Sequence, residues 1–318
     1  MTQPPPRNGP TAPAGASAPR PTRRASAPAA APETQTAGRG ATHDRLDARA
    51  GDVECMVGFS SGRYTAVSAP LWLGVAVACT VLVAIVLALV AADSSVMQVM
   101  NRSWTNWAVL LLTFWCMGML YAKWVKTSVQ MRALRAVDIV PRRGDFVLSP
   151  GTAGDVLHRI RAVAERPKDF MLFRRMDMAL SNLGNIGEVR DVGAVFESQA
   201  DSDASAVDSS YTVIRSLIWT IPILGFIGTV IGLSQAIGSF TDVLNQSGSD
   251  ASSIKSKLAP VVAGLATAFE TTLVALLAAV CIQLLSTWVY KREEALLDGL
   301  TDFTTEHVLS RLRLTDWQ

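Results

Sequence analysis

The chain has 318 residues, 49% of them hydrophobic and only 18% charged, the profile of a membrane protein diluted by polar segments. A net charge of +2 is too small to point to nucleic acid as a partner. The four cysteines (Cys55, Cys79, Cys116 and Cys281) and three histidines (His43, His158 and His307) are scattered without CxxC or Cys/His spacing, which argues against a metal centre or a disulfide framework. No phosphate-binding glycine loop and no nucleophile constellation stands in the polar parts, so an enzyme is not expected.

Residues 1–65 read as a disordered cytoplasmic tail. The first fifty or so are rich in Pro, Ala, Thr and Arg, with almost nothing to bury. No apolar region that would make a signal peptide occurs in the first thirty, and the RRAS at 23–26 reads as a chance match to a phosphorylation site. Four apolar segments follow, Leu71–Ala92, Trp104–Ala122, Ser216–Phe240 and Leu258–Tyr290, the last with one charge, Glu270. A span needs about 20 apolar residues, so all four can cross a bilayer. The expected fold is therefore an all-α membrane protein with a first hairpin at 66–125, a polar helical insert at 126–212, a second hairpin at 213–290 and a helical tail at 291–318. Lys123, Lys126, Arg132 and Arg135 follow the second segment, and Lys291 and Arg292 follow the fourth, whereas the loops 93–103 and 241–257 hold only Arg102, Lys255 and Lys257. The positive-inside rule then puts both termini and the insert in the cytoplasm. Trp72, Trp104, Trp107, Trp124 and Trp288 stand near segment ends, where interfacial indoles belong.

Within the insert, Val156, Ile160 and Val163, then Phe173, Met176 and Leu180, recur at helical spacing. Helices are predicted near 152–166 and 168–183, broken at Pro167, with Gly184 as a C-cap. Asp201–Ser210 (DSDASAVDSS) reads as a linker or a helix start. From Lys123 to Arg175 there are twelve basic and five acidic residues, a bias that suits membrane lipid or an acidic partner face.

The third and fourth segments each carry a stripe of small residues. Pro222, Gly225, Thr229, Gly232, Ala236 and Ser239 are spaced 3, 4, 3, 4, 3, with Gly228 beside them; Ala268, Thr272, Ala275, Ala279, Gln283 and Ser286 are spaced 4, 3, 4, 4, 3, with Thr271 beside them. In lipid, helices associate through small residues that let backbones approach. The stripes are either a helix–helix contact or the wall of a lumen holding another helix and some water. Pro222 removes one helical hydrogen bond and makes a hinge or a static kink. Glu270 lies two positions from Thr272, about 200° around a helix, so it cannot share that stripe's centre. A carboxylate there either bonds a neighbouring helix or subunit, or itself carries protons.

The wording IPILGFIGTVIGL at 221–233, LAP at 258–260 and AFETTLVALLAAV at 268–280 resembles the MotA/TolQ/ExbB proton-channel family. The resemblance covers roughly 210–290. It implies a ring-forming homo-oligomer, usually a pentamer, around a dimer of a single-span ExbD/TolR/MotB-like partner, in the bacterial inner membrane. The partner's transmembrane aspartate would take up and release protons, with no other cofactor, and Thr229 and Thr272 would line its path, with Thr271 close by. Pro222, Gly225, Gly228, Gly232, Pro260, Ala268 and Ala275 would pack or hinge the pore helices. Some members carry a glutamate where this chain has Thr267; here the acid is Glu270. Threonines without added carboxylates favour protons over sodium. The competing reading is a membrane scaffold or sensor whose insert binds signalling proteins.

Overall fold

The computed structural model describes residues 54, 64–90, 95–136, 150–164, 166–181, 189–245 and 251–312. The expectations placed on most of the tail, on the RRAS sequence, on His43 and Cys55, and on Gly184 lie outside the described residues. Among the described residues the fold is all-helical. In chain order the helices are α1 (Ala69–Val90), α2 (Ser95–Arg102), α3 (Trp104–Ala136), α4 (Pro150–Val163), α5 (Met171–Ser181), α6 (Val189–Ser210), α7 (Thr212–Asn245) and α8 (Ala251–Phe303). Four stretches, Ala69–Val90, Trp104–Arg135, Asp191–Thr241 and Leu258–Arg311, are long and apolar enough to cross a membrane, one for each apolar segment of the sequence.

Helix α1 starts on an unexpected cap. Glu54, assigned by composition to the disordered tail, is fully buried, and one carboxylate oxygen accepts from the Ser68 amide at 2.7 Å, the Ser68 hydroxyl at 2.8 Å and the Trp72 indole at 3.2 Å. An anion at this position satisfies amides that an isolated helix start leaves open. Its second oxygen pairs with Lys126 of α3. The α1–α3 hairpin closes where the Trp72 ring lies against Gly118: a Cβ there would sit 2.3 Å from the ring, and the Trp115 indole donates to the Ala69 carbonyl at 2.9 Å. Ser103 caps α3, its hydroxyl accepting from the Thr105 amide at 3.3 Å.

The insert follows its periodicity. Val156 and Ile160 of α4, and Phe173, Met176 and Leu180 of α5, are buried. The break predicted at Pro167 is a 3-10 turn, Pro167–Asp169. Gln130 of α3 pins that turn, donating to the Asp169 carbonyl at 2.9 Å and accepting from the Met171 amide at 3.2 Å. Asp201–Ser210 is neither a linker nor a helix start but the second half of α6, which turns at Tyr211 straight into α7. Val192, Phe196, Asp203 and Val207 are its buried face, at spacings of 4, 7 and 4. Asp203 is buried because Arg175 of α5 donates to it at 2.7 Å.

The basic residues that close the second apolar segment are not all solvated flanks. Lys123 is fully buried, its ammonium 3.0 and 3.1 Å from the two carboxylate oxygens of Glu293 on α8 and 4.1 Å above the Tyr211 ring. Tyr211 in turn meets Tyr290 edge-on at 5.1 Å between ring centroids. Three helices are thus locked at one level: α3, the start of α7, and α8 past its apolar run. Helix α8 continues unbroken to Phe303, into the stretch expected to be a helical tail, and ends in a π-helical turn, Thr304–Val308.

Candidate functional site

The glycines of α7 and the small residues of α8 face one another. A Cβ on Gly225 would sit 2.5 Å from the Ala275 Cβ, one on Gly228 2.5 Å from the Thr271 hydroxyl, and one on Gly232 2.7 Å from the Ala268 nitrogen and 2.8 Å from the Gly264 carbonyl. The approach is reciprocal, since a Cβ on Gly264 would meet the Ala236 nitrogen at 2.8 Å. The pairs Gly225–Ala275, Gly228–Thr271, Gly232–Ala268 and Ala236–Gly264 fix one antiparallel register. Within the chain, the glycine-bearing part of the stripes is a helix–helix contact. Their centre is filled by backbone and methyl groups.

The threonines are not at that centre. Gly228 and Thr271 lie on the α3 side of the contact, where Thr105 comes within 2.9 Å of a Gly228 Cβ. Thr271 is buried there, donating to the Ala268 carbonyl at 3.1 Å. One residue further on is about 100° around a helix. Thr229 and Thr272 are therefore turned away from α3, at the opposite edge of the contact. Both are half-buried, unlike Thr271. Thr229 donates to the Phe226 carbonyl at 2.6 Å. Thr272 donates across to the Gly225 carbonyl at 3.2 Å and back to Ala268 at 3.4 Å. The contact thus has a dry middle and one hydroxyl-bearing edge. Pro222 is half-buried on the same edge of α7, whereas Pro260 is exposed and stands off the contact.

Glu270 is on the far side from that edge. Both of its oxygens accept from Arg102, at 2.9 and 3.0 Å, with the two side chains about one-third exposed. Around this pair lies a polar patch that the sequence reading missed. The Ser103 and Thr105 hydroxyls are 2.7 Å apart, and Asn106 donates to the Val99 carbonyl at 2.7 Å. A signal existed: Arg102 is the one basic residue between the first two apolar segments and Glu270 the one charge in the fourth, and opposite charges beside or within apolar runs seek each other. The pair tethers the α2–α3 junction to α8. Arg102→Gln and Glu270→Gln are each expected to cost about 1 kcal/mol, roughly a 2 °C fall in melting temperature, and the exchanged double variant Arg102→Glu/Glu270→Arg to recover most of it. Thermal unfolding of the detergent-purified chain reads this directly. A double variant no better than the singles would show that the pair is not the tether.

Residues 164–300 match the family model described as the MotA/TolQ/ExbB proton channel family. Over those residues the chain is similar to the MotA/TolQ/ExbB family. Neither a curated protein nor a solved structure gives a match. The MotA/TolQ/ExbB match is wider than the 210–290 stretch that carries the recognisable wording. It takes in α5, α6, the whole of α7 and nearly all of α8, and so includes the Arg175–Asp203 pair, the Tyr211 turn and Glu293 along with the glycine contact. The hairpin α1–α3, Arg102 and Lys123 lie outside it. Both the Arg102–Glu270 tether and the Lys123–Glu293 ion pair therefore join a helix inside the match to a helix beyond it.

Proposed function

We propose that the chain is the proton-channel subunit of an energy-transducing, stator-type complex in a bacterial inner membrane. In this reading several copies, five by the family resemblance, form a ring around the transmembrane helices of a single-span partner dimer, and the partner's aspartate carries the protons. The observation that supports it is the edge of the α7–α8 contact: two half-buried threonines on adjacent helices, turned away from the subunit's own α3. A carboxylate inside a bilayer ionises only where something solvates its charge. A pair of hydroxyls repeated in each subunit supplies partial solvation without fixed charge. Each hydroxyl donates to a backbone carbonyl; its one O–H can swing to a carboxylate when that ionises, and its lone pairs accept from the protonated carboxyl or a water. Glu270 is held by Arg102 on the other side of α8 and has no part in this path. Both termini and the insert are cytoplasmic, and proton passage turns the ring against the partner.

The test is proton uptake into liposomes holding the chain together with its co-expressed partner. Thr229→Val and Thr272→Val are each expected to lower uptake about tenfold or more, the loss of a hydrogen bond to a charged group. Thr229→Ser and Thr272→Ser should retain it, and Glu270→Gln should change it less than threefold. Unchanged uptake in both valine variants would remove the two threonines from the path. Uptake abolished by Glu270→Gln in a chain that still melts normally would move the proton carrier to Glu270.

A further inference from the structure

A cleft of about 340 Å3 opens at the end of α3 and α8 where their apolar runs stop. Its polar lining is Trp124, Ser128, Arg132, Arg135 and Arg292; the remainder is aliphatic or thioether, and none of the lining residues is a carboxylate. Trp124, Ser128, Arg132 and Arg135 are spaced 4, 4 and 3, so they share one face of α3. Arg292 reaches in from α8, its guanidinium 6.0 Å from the Trp124 ring and 5.7 Å from the Trp288 ring, which are themselves 6.4 Å apart. Unlike Lys123 and Lys126, which are buried in ion pairs, these three arginines have no carboxylate partner among the described residues. The Trp124 indole nitrogen is buried and finds no acceptor there either. A buried donor without an acceptor is uncommon in folded proteins and marks a missing partner.

We infer that this cleft is a site for the headgroup of an anionic phospholipid. The depth is right. Trp124 and Trp288 stand within two residues of the ends of the apolar runs, about 3 Å along a helix axis, at the level where indoles sit among headgroups. Side chains of a helix lean towards its N-terminus, so Arg132 and Arg135 reach back from α3 towards the membrane. A phosphodiester offers the acceptors that three guanidinium groups and one indole N–H lack, and arginine binds phosphate through paired N–H donors. The apolar part of the lining suits the start of the acyl chains. The inference rests on α3 and α8 being spans and not on proton transport, so its failure would leave the proposed function standing.

The full chain, delipidated in mild detergent, would be titrated with phosphatidylglycerol and separately with phosphatidylcholine, and bound lipid counted by native mass spectrometry. Phosphatidylglycerol should be retained preferentially. Each arginine lost should weaken it about fivefold, giving roughly a hundredfold loss for R132Q/R135Q/R292Q. W124F should weaken it severalfold by removing one donor. The charge-matched R159Q/R161Q variant on exposed positions of α4 should bind as the wild type does. Should the triple variant fail to fold, R135Q and W124F carry the same test singly. Equal retention of the two lipids, or wild-type retention by R135Q and W124F, would overturn the assignment. So would glycerol phosphate binding as tightly as the lipid, which would make this a site for a soluble anion.

Discussion

Glu293→Gln is expected to cost the fold about 3–5 kcal/mol, a large share of the stability of any domain. The reason is the position of Lys123. Its ammonium is fully buried against both oxygens of Glu293, itself 1% exposed, with the face of Tyr211 on a third side. Removing the carboxylate charge leaves a buried cation whose hydration was lost on folding and whose compensation is gone. Removing both charges is a different perturbation. Lys123→Met/Glu293→Met replaces the pair by apolar groups of similar length, and such replacements are often neutral or stabilising. The double variant is therefore expected to melt within a few degrees of the wild type, and far above either single variant. Thermal unfolding and the yield of monodisperse protein in detergent would both report it. A Glu293→Gln protein as stable as the wild type would mean that water reaches Lys123.

Gly232→Ala is expected to part α7 from α8. The new Cβ would lie 2.7 Å from the Ala268 nitrogen and 2.8 Å from the Gly264 carbonyl, and backbone cannot step aside as a side-chain tip can. Overpacking of this kind costs about 1–3 kcal/mol where the neighbours can adjust, and here the neighbours are the partner helix itself. Gly264→Ala should behave alike, because it meets the backbone of Ala236 and Gly232 from the other side. Gly238→Ala, nearly two turns further along α7, meets nothing within 4 Å and should be neutral or gain about 1 kcal/mol of helix propensity. Unfolding in denaturing detergent separates the three. The same contact aligns Thr229 with Thr272, so Gly232→Ala should also depress proton uptake, whereas Gly238→Ala should leave it intact. Equal melting of all three variants would show that the register does not depend on the close approach.

Much of the architecture was legible because it depends on long, local signals. Runs of twenty or more apolar residues announce spans whatever they pack against, and Val156, Ile160, Phe173, Met176 and Leu180 mark their buried faces by spacing alone. Helix α6 was hidden because its visible composition, DSDASAVDSS, is that of a linker; its apolar contacts are few, and one buried position is an aspartate that makes sense only beside Arg175. The small-residue stripes were legible as stripes, but not their direction. A sequence shows which residues share a face, and only a neighbour's position shows whether the face meets a helix within the subunit or one from outside. Thr105 settles this for Thr271, and sequence reasoning had no reason to look there. The ion pairs Lys123–Glu293 and Lys126–Glu54 join residues 170 and 72 positions apart, so no local pattern could disclose them. Glu54 is the sharpest case: its carboxylate is fixed by Ser68 and Trp72 at the start of α1 and by Lys126 far downstream.

The unbroken course of α8 carries a mechanical corollary. Thr272 and Phe303 belong to one rigid rod and are about 45 Å apart along its axis. The rod is clamped to α3 at Glu293, two-thirds of the way along, which leaves about 31 Å of it on the threonine side and about 15 Å beyond. With that ion pair as fulcrum, a tilt of roughly 10° would move the Thr272 level through about 5 Å and the Phe303 end through about 2.5 Å in the opposite sense. Motion at the membrane level would thus reach the π-helical turn at Thr304–Val308 with its travel halved and its force doubled.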